Sequence, residues 1–276
     1  MDGGTFYYPN PLSVDDNGYE RKPWFGCACC PSNISRFIPS LPGYVYAVKN
    51  DQVYVNLFMG NKATIKTGNK NIVLEQETNY PWNGDVKLKV EKGSGEFTLN
   101  IRIPGWVQNK VVDSDLYNYA DQKNPTYSIS VNGEKITGEL VKGYFQINRK
   151  WRKNDVVEIH FDMIPRLVKA NEKVKDDQGR LAIECGPLVY CAEWVDNKCD
   201  VNKTLIAPNS ELKIQSQPNL LNGVNTISTE GQFLKYDSKG KLLIENVPLT
   251  FIPYYSYAHR GKGAMNVWMP YKIEAF

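Results

Sequence analysis

From Gly43 onward the chain alternates apolar and polar residues with a period of two, and prolines and glycines cut the pattern into short runs. Val53, Val55 and Leu57 alternate with Tyr54, Asn56 and Phe58, and Val86, Leu88 and Val90 with Lys87 and Lys89. Phe97, Leu99, Ile101 and Ile103 alternate with Thr98, Asn100 and Arg102 until Pro104-Gly105 stops the run. Successive side chains of a strand point to opposite faces, so each run has one face to bury and one to wet. Tyr127, Ile129 and Val131 lead into Asn132-Gly133, a hairpin signal because both central positions of a type I′ turn need positive φ. Val157, Ile159, Phe161 and Met163 form a further run that ends at Pro165. Short alternating runs with frequent turns predict antiparallel β-sandwiches.

A chain of 276 residues is long for one core. The polar stretch from Lys169 to Gly179 reads as a domain boundary, after which strand-like segments resume at 181–183, 188–191, 212–214, 242–244, 249–252 and 265–269. The expected fold is mainly β. Residues 1–43 form a loop with a short helix, 44–168 a first antiparallel β-sandwich and 169–276 a second, smaller one. Only Pro31–Ile38 has helical character: Pro31, Ser32 and Asn33 suit a first turn, and Ile34, Phe37 and Ile38 share a face. Pro39 and Pro42-Gly43 stop it. One helix of that length cannot bury its own apolar face, so it needs a scaffold from elsewhere.

Composition excludes several classes. With 33 basic and 30 acidic residues, the net charge of +3 gives no reason to expect a nucleic-acid partner. No apolar run approaches the roughly 20 residues that cross a bilayer. The first ten residues have neither the basic nor the apolar region of a signal peptide, and they read as the middle of a loop.

The chemistry concentrates in Trp24-Phe25-Gly26-Cys27-Ala28-Cys29-Cys30-Pro31-Ser32-Asn33, where three of the six cysteines fall within four residues. Adjacent cysteines are poorly disposed for a disulfide, whose geometry requires converging Cβ vectors, yet both can reach one metal ion. A thiolate at a helix N-terminus is further stabilised by the helix dipole. Cys185, Cys191 and Cys199 sit in or beside strand-like segments and read as packing residues, with a Cys191–Cys199 disulfide as the alternative. His160 belongs to the polar face of a strand and His259 to an aromatic loop, and neither is placed as a ligand. Asp2, Asp15, Asp16 and Glu20 precede the cluster and match no catalytic motif. The thiols thus supply two or three of the four ligands of a zinc site.

These residues carry a family resemblance. Phe6-Tyr7-Tyr8-Pro9-Asn10-Pro11-Leu12 and the Cys-x-Cys-Cys-Pro-Ser-Asn run resemble the bacterial β-L-arabinofuranosidases of glycoside hydrolase family 127 and the related family 146. The similarity continues through Gly43–Ala47, Val53–Leu57, Ile103-Pro104-Gly105-Trp106, Cys185–Tyr190 and Ile252-Pro253-Tyr254-Tyr255. The resemblance implies an (α/α)6 barrel that carries catalysis, followed by β-sandwich domains. Residues 1–43 would be the last part of that barrel. By the same resemblance, Cys29 is the nucleophile and a zinc ligand, and Cys30 is a second ligand. Cys27, Tyr8 and Asn10 border the sugar pocket. The acid/base glutamate and the other two ligands are expected in an N-terminal barrel upstream of Met1, so the chain alone is expected to be inactive.

The expected substrate is a glycan bearing arabinofuranose side chains, and the sequence leaves the compartment of the complete protein open, with a periplasmic or secreted setting favoured over a cytoplasmic one. An uncovered face where the barrel belongs would promote self-association. Two other functions compete with this one: a carbohydrate-binding β-sandwich with a row of exposed aromatics, and a structural zinc or redox protein. Trp82, Trp106, Trp151 and Trp268 are expected to be packing residues.

Overall fold

The computed structural model of the chain describes Met1 and residues 3–273. It is mainly β with one α-helix among the described residues, and its strands fall into three sheets. The chain forms two compact units. One comprises residues 33–109 and 124–163, and the other residues 1–32, 110–123 and 164–276.

The first unit contains a six-stranded and a five-stranded sheet. Its pairings are antiparallel except for strand Gln52–Val55, which runs parallel to Gly95–Arg102. Burial follows the alternation in strand Asp85–Lys92, where Val86, Leu88 and Val90 are buried while Lys87 stays wet. Ring contacts cross between the sheets, as where Tyr127 of strand Tyr127–Val131 meets Phe145 of strand Tyr144–Trp151 with centroids 6.4 Å apart. Trp151 is fully buried, stacks on Phe97 at 5.6 Å and donates its indole N–H to the Phe97 carbonyl at 2.9 Å. Asn132 and Gly133 have φ of +52° and +83°, as a type I′ turn requires.

Two local expectations are corrected. The alternation around Val53 ends with the strand at Val55, and Phe58 turns inward to pack on Phe161 at 5.3 Å. Asn100, on the face expected to be wet, is fully buried. Its strand lies inside the sheet, and its amide accepts from Gln146 at 2.8 Å and donates to Gln52 at 3.4 Å. A buried amide is tolerated because its hydrogen-bonding groups find partners there.

The second unit is built on an eleven-stranded antiparallel sheet. Its longest pair is the hairpin Val224–Tyr236 with Leu242–Pro253, which joins into one strand the segments read from the sequence as 242–244 and 249–252. The sequence places the boundary at Lys169, but Lys169 lies inside strand Pro165–Ala170, paired with Arg180–Cys185 on one side and Tyr117–Tyr119 on the other. The compact unit starts at Ile164 and takes in 110–123, because strand Tyr117–Tyr119 completes that edge. Residues 1–32 belong to it as well: Ser13–Val14 pairs with Met265–Asn266, and Val14 joins a buried cluster with Cys191, Ile252 and Met265. Among the described residues no helix is long and apolar enough to cross a membrane.

Candidate active site: a thiol cluster at a helix N-terminus

The helix spans Cys29–Phe37 and continues as a 3-10 turn over Ile38–Tyr44. The α-helical hydrogen bonding stops just before Pro39, as the sequence predicts. Pro31 lies in the first turn, where its missing N–H has no intrahelical partner to lose. The Ser32 hydroxyl donates to the Ala28 carbonyl at 2.7 Å, and the Ser32 N–H donates to the same carbonyl at 3.1 Å. This start places Cys29 and Cys30 in the first turn, at the positive end of the helix dipole.

Opposite them runs a hairpin closed by a backbone pair: Phe6 N–H donates to the Lys22 carbonyl at 2.8 Å, and Lys22 N–H to the Phe6 carbonyl at 3.0 Å. Tyr7 and Tyr8 then face opposite ways. The Tyr7 ring packs edge-on against Tyr257 at 5.1 Å, and the Tyr8 hydroxyl reaches the thiols. Tyr8 Oη lies 3.5 Å from Cys29 Sγ and accepts from Cys30 Sγ at 3.5 Å. Cys29 Sγ is 4.0 Å from Cys27 Sγ and 3.9 Å from Cys30 Sγ. Phe25 backs the Tyr8 ring at 5.1 Å, a contact that the spacing of motifs did not reveal.

Hydrogen bonding from Tyr8, and then from Cys30 and Cys27, holds the Cys29 thiol below the ordinary thiol range. The same bonds push the Tyr8 phenol above its usual range. All three thiols are free and exposed, whereas Cys185 and Cys191 are buried. Burial pushes the Cys185 thiol up to about 12 and Cys191 well above the usual range. A thiol held neutral in this way is a packing residue, as the sequence reading has it. Cys199 is free too and accepts from the Thr204 hydroxyl at 3.4 Å, so the alternative Cys191–Cys199 disulfide is not formed.

The donor set suits a soft divalent ion. Two thiolates on a tetrahedral zinc, each about 2.3 Å from the metal, lie about 3.8 Å apart, close to the 3.9 Å between Cys29 and Cys30. Among the described residues no group of three or more His, Cys, Asp or Glu side chains is arranged to hold a metal. The fit is therefore that of a half-site. Asn10 is exposed, two residues beyond Tyr8, and Asp2 lies outside the described residues.

His160 sits on an exposed strand face, with Nδ1 2.6 Å from Asp85 and Nε2 3.5 Å from Asp162. Of the four tryptophans expected to pack, Trp106 and Trp151 are buried and Trp82 and Trp268 half-buried. Among the described residues Tyr236 is the one exposed aromatic in a strand, so no sheet face carries an exposed aromatic row. A wide cleft of about 1120 Å³ lies between Tyr119, Lys169 and Tyr271 and contains no thiol.

Comparison with known proteins converges on one family. Residues 1–43 match the family model described as the β-L-arabinofuranosidase GH127 catalytic domain. Residues 52–163 match the β-L-arabinofuranosidase GH127 middle domain, and 165–270 the glycoside hydrolase family 127 C-terminal domain. The non-reducing end β-L-arabinofuranosidase of Bifidobacterium longum subsp. longum is 31% identical over 300 residues, covering 97% of this chain and 42% of its own length. A GH127 β-arabinofuranosidase of solved structure is 58% identical, with a TM-score of 0.97 over 99% of this chain and 43% of its own. The GH127 β-L-arabinofuranosidase from Geobacillus stearothermophilus T6 is 32% identical, with a TM-score of 0.83 over 98% of this chain and 43% of its own. The chain thus spans less than half the length of these relatives, and its matches run in order through part of the catalytic domain, the middle domain and the C-terminal domain. It belongs to glycoside hydrolase family 127.

Proposed function

We propose that this chain contributes the thiol side of a retaining β-L-arabinofuranosidase centre, acting on arabinofuranose side chains of glycans with Cys29 as nucleophile. The observation that carries the reading is the meeting of Cys27, Cys29, Cys30 and the Tyr8 hydroxyl within 3.5–4.0 Å at a helix N-terminus. The relatives, which are β-L-arabinofuranosidases, supply the substrate class. As the Cys29 Sγ–C1 bond forms, the glycosidic C1–O bond breaks and the leaving oxygen takes a proton from a general acid. Water then attacks C1 and gives its proton to the same group. The C1–S bond breaks, its electron pair returns to sulfur, and two inversions give net retention.

Cys29 and Cys30 would hold a zinc ion, which supplies the charge that keeps a thiol deprotonated at neutral pH. Tyr8 donates to Cys29 and fixes the direction of its lone pairs, while Cys27 and Asn10 border the sugar. The proton donor and the remaining zinc ligands are assigned to the part of the relatives' length that this chain does not span. Ile34 and Phe37 on the helix and Ile38 just beyond it, all exposed, would pack against that same part.

A chimera tests the assignment. The chain replaces the corresponding portion of the 58% identical relative, whose fold it matches over 99% of this chain. The chimera is expected to hydrolyse an aryl β-L-arabinofuranoside, and Cys29→Ala to lower that rate at least about 10³-fold. Equal rates with and without the Cys29 thiol overturn the nucleophile. The chain alone, lacking a proton donor worth about 10²–10⁴ in rate, is expected to give no turnover, and clear hydrolysis by it would falsify the divided site.

A further inference from the structure

The thiol hairpin is tied on both of its strands to a single turn. Strand Leu242–Pro253 ends in the turn Tyr254–Ser256, and the Tyr254 hydroxyl donates to the Pro11 carbonyl at 2.8 Å. From the other strand, Arg21 Nε donates to the Tyr257 carbonyl at 2.9 Å and its Nη2 to the Tyr255 carbonyl at 3.0 Å. The guanidinium also lies 5.7 Å from the centroid of the Tyr7 ring, beside the residue that faces the thiols. Lys22, next to Arg21, closes the hairpin on Phe6.

The turn is a firm anchor. The fully buried Glu193 accepts from the Ala258 N–H at 3.0 Å and pairs with Arg260, which also binds Asp196. Ala258 has a φ of +61°, an arrangement that persists only where its surroundings over-determine it.

We propose that Arg21 is a positioning residue for the thiol centre. Its rigid fork spans two carbonyls of one turn and so sets where the hairpin lies, and the hairpin in turn sets where the Tyr8 hydroxyl meets the sulfurs of Cys29 and Cys30. A lysine ammonium is a single point donor and cannot fix both bonds in one plane. The inference deepens the thiol–metal reading above and rests on it.

Cobalt(II) titration of the reduced 276-residue chain tests it, read by the thiolate-to-cobalt charge-transfer absorption. The native chain is expected to develop the band, and Cys29→Ser and Cys30→Ser to lose it. Arg21→Ala is expected to weaken cobalt binding about 10-fold, the low end for partners outside the ligand set, and Arg21→Lys to recover part of that loss. Leu181→Ala, which removes a buried side chain from the same sheet, is expected to lower the unfolding temperature and leave cobalt affinity unchanged. Native affinity in Arg21→Ala, or an equal loss in Leu181→Ala, overturns the positioning role. A native chain without the band shows that the two thiols hold no metal without the remaining ligands and overturns this inference, while the nucleophile reading is decided separately by the activity of the chimera.

Discussion

Phe97 and Phe37 are the same side chain in opposite circumstances. Phe97, in strand Gly95–Arg102, is 2% exposed and stacks on Trp151, whereas Phe37, at the end of the helix, is 51% exposed, with the exposed ring of Tyr44 6.2 Å away. In the helix Cys29–Phe37 only Pro31 is buried. The strands stabilise themselves by burying alternate side chains. The helix holds reactive groups without a core of its own, and its geometry comes from the hairpin and turn beside it. Stability and chemistry are thus carried by different parts of the chain, and a substitution in one should leave the other largely untouched.

The largest stability effect should follow from opening the strand core. Trp151→Ala removes a fully buried ring and leaves the Phe97 carbonyl without its indole donor. A loss of about 3–5 kcal/mol is expected, measured as the shift in urea midpoint followed by far-ultraviolet circular dichroism. The thiols should still develop the cobalt band at low denaturant, since they belong to the other compact unit. Loss of the band in a variant that remains folded would break the separation.

A second test uses pH. The Tyr119 hydroxyl donates to Glu184 at 2.9 Å, and the Arg166 guanidinium lies 3.5 Å over the Tyr119 ring while pairing with Asp121 at 2.8 Å. Burial pushes the Glu184 carboxyl from about 4.5 up to about 7. Because the folded form holds its proton more tightly than the unfolded one, this group's stabilisation is complete below about 4.5 and is lost as pH rises through about 7. Asp162 has the opposite sign. Donation from Thr126 lowers its pKa, so its contribution is present above about 3.8 and is lost in acid. The unfolding temperature of the chain should therefore fall between pH 5 and 7.5, with an upper bound of about 3 kcal/mol on the Glu184 part. Glu184→Gln should flatten that slope, and an unchanged slope would assign it to another group.

The strands were legible because burial obeys a period that needs no knowledge of partners. Val86, Leu88 and Val90 turned inward as their spacing requires. Legibility failed where a residue's environment was set by its neighbours in the sheet. Asn100 looks like a surface residue until Gln52 and Gln146 flank it, and the alternation that puts Phe58 on the wet face holds only to the end of strand Gln52–Val55, before Phe58 is reached. The segment 110–123 was missed as part of the second unit because strand Tyr117–Tyr119 is three residues long and is specified by pairing with 168–170. The Cys-x-Cys-Cys run announced itself by composition, and the helix start could be read from Pro31 and Ser32. Nothing in the spacing showed that Tyr8 would reach those sulfurs across 21 residues or that Arg21 would hold the intervening hairpin to a turn more than 200 residues later. Both depend on hydrogen bonds between distant backbone segments.

The smallest stability effect should come from the helix, where the comparison is sharpest. Ile34 is 50% and Phe37 51% exposed, so serine there removes little area from any core. Ile34→Ser with Phe37→Ser should leave the unfolding midpoint within about 0.5 kcal/mol of the native chain, the range of surface substitutions. Exposed apolar side chains clustered on one helix should nevertheless drive association. The same double variant is therefore expected to sediment as a monomer at concentrations where the native chain self-associates. A native chain that stays monomeric would show that this surface is too small to dimerise by itself. A drop in midpoint of several kcal/mol would mean that the helix is packed after all, and the contrast between Phe37 and Phe97 would disappear.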